Sequence, residues 1–191
     1  MKKNLLSALT LSMILILAMS SNVLAGAANI QAFTIIDVTS NERLRVTDEG
    51  AGKIGEQECG EITLGENHMV RFKFTIHANT WDPDGRKGKV GYVLKEMDTF
   101  PNATDVVFKG TKTRHLTQSG ADVTFTTPKK NISSLPVISG SAEGTVWDVV
   151  GMDKIQGKLA FRAYPVLKWW NGNSWEKESV GGSLCIDVMM E

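Results

Sequence analysis

The sequence predicts an all-β chain folded as a single-domain antiparallel β-sandwich, and three observations carry that prediction. Apolar and polar residues alternate with period two, best seen in His68-Met69-Val70-Arg71-Phe72-Lys73-Phe74-Thr75-Ile76-His77. There the even positions from Val70 to Ile76 are apolar, as in a strand with one face in a core and one in water. Turn dipeptides recur between such stretches, and apolar residues at helical spacings of three and four are lacking after the first residues. Many short strands can also close on themselves, so a closed β-barrel is the alternative architecture.

The expected strands run in order from residues 33–39, 43–48, 61–64 and 68–77 to 89–95, 105–109, 113–117 and 122–127. Those of the C-terminal part are 145–150, 154–164, 166–170, 175–180 and 184–189. Asp84-Gly85, Ser119-Gly120, Asn171-Gly172 and Gly181-Gly182 supply turn chemistry between them, because glycine accepts positive φ and Asp, Asn and Ser bond their own backbone. Residues 128–141, PKKNISSLPVISGS, have no period and read as a long surface loop or crossover.

The first residues differ in kind. MKKNLLSALTLSMILILAMSSNVLAGA places two lysines before an apolar run and ends in small residues, the order of a secretory signal peptide. Cleavage is expected after Ala25, with Ala27 as the competing site, giving a leader of residues 1–25 and an exported domain of residues 26–191. The apolar run is shorter than the roughly 20 residues of a membrane span. No membrane association is therefore expected after cleavage, and the localisation is secreted or cell-envelope. Removing Lys2 and Lys3 changes 21 basic and 21 acidic residues to 19 and 21. That near-neutral balance gives no electrostatic reason to expect nucleic acid as a partner.

Only two cysteines occur, Cys59 and Cys185, in no metal-ligand spacing. In an exported chain they are expected to form one disulfide. Closing a loop of that length stabilises by roughly 4–5 kcal/mol in the chain-entropy account, less any native strain.

Motifs for chemistry are sparse. His68 and His77 are an odd number apart, so in one regular strand they face opposite sides and cannot share an ion; no metal and no cofactor are expected. Asp82-Pro83-Asp84-Gly85 opens like a calcium loop, but the twelfth position from Asp82 is Val93, which has no donor oxygen. A proline-glycine turn explains it better. Nucleophile motifs and phosphate-binding glycine loops are missing. Glu61, Glu143, Asp148 and Asp187 lie in or beside strands, and a hydrolase built on such carboxylates is one alternative function. Asn102 and Asn131 begin N-x-S/T sequons, whose use depends on the host.

The most distinctive segment is KWWNGNSW, Lys168 to Trp175. Either two-residue turn, Asn171-Gly172 or Gly172-Asn173, places Trp170 and Trp175 on one face with Lys168 and Lys177; Trp169 then joins Leu167 on the other. A three-residue loop would instead partner Trp169 with Trp175. Trp170, Trp175, Asn171 and Asn173 are thus the candidate binding residues, because exposed indoles stack on apolar faces of sugars or anchor proteins, and amides bond hydroxyls. Cross-strand indole pairing that only stabilises the hairpin is the plainer explanation. Trp81 and Trp147 are expected in or near the core. The functional expectation is a non-catalytic exported domain that binds, or serves as a structural surface or envelope component, with polysaccharide or a protein as partner. A barrel carrier of a small apolar ligand is the remaining alternative.

Overall fold

The computed structural model describes residues 26–48, 59–98, 104–140, 144–147, 153–178 and 180–191. The expected signal peptide, Glu143, Asp148 and Asn102 of the first sequon lie outside the described residues. Two sheets face each other. The first has the order β2-β1-β4-β7, formed by β1 (Gly26–Asp37), β2 (Arg43–Thr47), β4 (Met69–Thr80) and β7 (Ala121–Thr126), with the short β8 (Lys130–Asn131) also on β4. The second has the order β3-β11-β9-β5-β6, formed by β3 (Gly60–Leu64), β5 (Arg86–Met97), β6 (Thr104–Leu116), β9 (Lys158–Trp170) and β11 (Leu184–Met190), with β10 (Trp175–Lys177) on β9. The predicted sandwich is what forms, and neither sheet closes into a barrel, so the carrier alternative loses its architecture.

Alternation explains the layering. Val70, Phe72, Phe74, Ile76 and Ala78 of β4 and Val90, Tyr92 and Leu94 of β5 all point inward and are buried. Rings link the two layers across the core: Phe72 meets Phe161 at 5.2 Å between centroids and Phe74 meets Tyr92 at 4.2 Å. Such pairs add about 0.5–1.5 kcal/mol beyond their buried area.

Several strands are longer than the sequence pattern suggests. In β1 a bulge between Ile30 and Ala32 moves the buried set from Ala28 and Ile30 to Phe33 and Ile35. The break in alternation hides the first half of the strand. Strands expected separately at 105–109 and 113–117 join through Gly110, and those at 154–164 and 166–170 join through Pro165. Pro165 pairs with Tyr92 of β5. On its other side β11 pairs only as far as Ala163 and β10 begins at Lys168, so the missing N–H falls in a gap of the ladder.

Among the described residues two short helical pieces appear, a 3-10 turn at Ile132–Ser134 and a one-turn helix α1 (Asp153–Gln156), which takes the first residues of the strand expected at 154–164. Asn131 caps the 3-10 turn by accepting from the Ser133 N–H at 3.0 Å. Among the described residues every strand pair is antiparallel except β3 with β11. Beside that parallel pair lies the disulfide Cys59–Cys185, which joins the residue before β3 to β11, with Cα atoms 4.8 Å apart and a sequence separation of 126. The bond therefore ties together two neighbours that no turn could connect.

Candidate functional site

The Trp hairpin adopts the Gly172-Asn173 register. Trp170 pairs with Trp175, Glu176 with Trp169 and Lys177 with Lys168, and the Asn171 N–H donates to the Ser174 carbonyl at 3.1 Å. Gly172 takes φ +101°, a conformation open to glycine. Trp169 is 2% exposed in the core, whereas Trp170 is 39% exposed. The structure thus brings Trp170 and Trp175 together on the outer face of the second sheet, at 5.4 Å between centroids. Their planes are tilted by 55°, so they form a wedge and not a flat platform. Asn171 is occupied within the turn: its Oδ1 accepts from the Asn173 and Ser174 N–H groups at 2.9 and 2.7 Å, and its Nδ2 donates to Ser174 Oγ and Glu176 Oε1. Asn173 is exposed beside it.

Beside the wedge the register assembles a feature that no single segment reveals. Lys177 of β10 stands opposite Lys168 of β9, and Lys168 stands opposite Lys89 of β5. Three ammonium-bearing side chains therefore form one cross-strand row on the outer face. Lys87 and His115, paired between β5 and β6, flank it on the same face. Lys89 Nζ sits 4.3 Å from the centre of the Trp175 ring, a cation–π contact that joins the row to the wedge. Among the described residues none of the three lysines reaches a carboxylate within ion-pair distance. Like charges directly opposite one another destabilise a sheet, so the row is a cost to the fold alone. Acidic residues of this face lie at the other edge: Glu61 pairs with Asp187 between β3 and β11, and Lys158 holds Asp187 at 2.6 Å. A near-neutral net charge conceals this segregation.

The histidines do not converge. His68 Nδ1 lies 2.7 Å from Asp37 Oδ2 and His77 Nδ1 lies 2.8 Å from Asp122 Oδ1, so each is bound to its own aspartate. Asp37 is fully buried at the end of β1 and also accepts from the Thr39 N–H at 2.8 Å and from Ser40 Oγ. Burial pushes its pKa up, but the bonds from Ser40, Thr39 and His68 outweigh that and hold it below the usual value. Asp82 and Asp84 form the expected turn, with the Gly85 N–H donating to the Asp82 carbonyl at 3.1 Å. Trp147 is buried as expected, but Trp81 is 47% exposed, because it follows β4 into the turn and leaves the core.

A second constellation was not anticipated. Glu96 near the end of β5 is fully buried and pairs directly with Asp105 of β6, also fully buried. A bulge between Leu94 and Lys95 passes over Val107 and sets Asp105 in that position. Asp98 and, from α1, Asp153 join them at 6% and 2% exposure. Glu96, Asp98 and Asp153 each present an oxygen within 4.8 Å of the others. Burial, and then the charges of Asp153, Asp98 and Asp105, push the Glu96 pKa up to about 9 against one opposing bond from the Ala160 N–H. The available signal was parity: Glu96 sits in phase with Val90, Tyr92 and Leu94, where a strand would place an apolar residue.

No family model matches the sequence, and no curated protein matches it either. Among solved structures the fold resembles AggA, the major subunit of aggregative adherence fimbriae type I from Escherichia coli. The TM-score is 0.37 at 9% identity, covering 86% of this chain and 95% of that one. Among the described residues no helix is long and apolar enough to cross a membrane. Fold and site define an all-β sandwich stapled by one disulfide, with a basic, tryptophan-edged face.

Proposed function

We propose that this is an exported, non-catalytic binding domain of the cell surface or envelope, and that its basic face takes an anionic polysaccharide. The observation that carries the reading is the row Lys177–Lys168–Lys89, without an ion pair among the described residues, abutting the Trp170–Trp175 wedge. An acidic glycan supplies both things this surface is short of, negative charge for the ammonium groups and apolar ring faces for the indoles. The leader-like N-terminus and the disulfide support an extracytoplasmic location. The wedge on its own gives little support to neutral sugars, since its rings are not coplanar and the Asn171 amide is engaged in its turn.

Fluorescence titration of the mature chain with dextran sulfate and with unmodified dextran tests this. Dextran sulfate should shift the tryptophan emission and dextran should not, with affinity falling as salt rises. Lys89→Glu/Lys168→Glu should weaken the response by about tenfold or more. An equal response to both polymers, or full binding by the double variant, would reject the charged-glycan reading. Tighter binding to duplex DNA than to dextran sulfate would redirect it to nucleic acid.

A further inference from the structure

A buried carboxylate requires a partner, because transfer of its charge out of water is costly unless hydrogen bonds or a cation compensate. Glu96 has only part of that compensation. Its Oε1 accepts from the Ala160 N–H at 3.3 Å, while Oε2 is buried with no hydrogen-bond partner among the described residues. The charged side chains acting on it are three further carboxylates, Asp153, Asp98 and Asp105. Oε2 of Glu96 is therefore left to be satisfied by a proton or by a cation.

The geometry favours the cation, and we propose that Glu96, Asp98 and Asp153, backed by Asp105, form a calcium site at the end of the second sheet. The donors are all oxygen, which selects hard cations over zinc or copper. Calcium holds its oxygens at roughly 2.3–2.6 Å, so two on opposite sides of one ion stand about 4.6–5.2 Å apart, and magnesium needs a tighter, near-octahedral shell. Oxygens within 4.8 Å of one another fit around calcium. Oε2 of Glu96 is the buried acceptor that such an ion would satisfy. Its donors come from β5, from Asp98 just after that strand and from α1, and Asp105 of β6 pairs with Glu96, so the ion would clamp the β5–β6 end to the segment that leads into β9.

The test uses the disulfide-bonded mature chain, stripped with EDTA and dialysed. Calcium titration by calorimetry should show one ion per chain, with Kd on the order of 1 mM or tighter, as in extracellular modules. Calcium should also raise the melting temperature, and EDTA should reverse the rise. Glu96→Gln keeps the shape but removes a charge; it should lose about tenfold or more in affinity and melt independently of calcium. If that variant fails to fold, Asp153→Asn is read in its place, and the melting of the unmodified chain with and without EDTA stands alone as a test. No saturable calcium binding by folded protein, undiminished binding by Glu96→Gln, or a preference for magnesium would each overturn the assignment.

Discussion

Asp37 and Glu96 are both buried acids, and their environments push them in opposite directions. Asp37 is surrounded by donors from Thr39, Ser40 and His68, and its folded pKa lies below the ordinary 3.8. Its stabilising contribution is thus complete above that value and is lost as pH falls through the lower folded value. Asp37→Ala should destabilise by about 1–3 kcal/mol in urea at neutral pH, since the donors lose their shared acceptor. Glu96 runs the other way: its pKa is raised from 4.5 to about 9, so the folded chain retains a proton that the unfolded chain releases. In metal-free buffer its contribution is greatest below about 4.5 and fades as pH rises toward 9. Urea unfolding between pH 5 and 9 should show declining stability, and Glu96→Gln should flatten that slope.

At the scale of elements, the Trp hairpin shows what sequence reasoning reaches and where it stops. Turn chemistry and parity separate Trp169 from Trp170 and Trp175, and the observed register agrees. Gly172 adopts φ +101° in that turn, so Gly172→Ala should cost roughly 1 kcal/mol and fray β10, measured by amide hydrogen exchange. Strand extents were less legible for local reasons. Gly110 and Pro165 look like breaks in sequence, but the first sits on the edge strand β6 and the second in a gap of the ladder. The two charge constellations lay further out of reach. The lysine row needs the pairing of β5, β9 and β10, and the acidic cluster needs a bulge in the β5–β6 ladder. Local alternation does not encode pairing between distant strands.

For the whole molecule, β3 with β11 is the strand pairing of greatest sequence separation among the described residues, and the disulfide fastens it. Reducing that bond should lower stability by roughly 4 kcal/mol, read as a fall in the urea midpoint, with the β3–β11 ladder exchanging first. The segregation of charge is likewise a property of the whole molecule, because a near-neutral chain becomes basic on the outer side of β5, β9 and β10 and acidic at the β3–β11 edge. That distribution is what the proposed binding function rests on. Hydrogen exchange of residues 26–191 with and without dextran sulfate examines it most directly. Slowed exchange is expected in β10 and in the stretches of β5 and β9 carrying Lys89 and Lys168, with the sheet formed by β2, β1, β4 and β7 unchanged. Slowed exchange confined to that opposite sheet, or none at saturating polymer, would contradict the account.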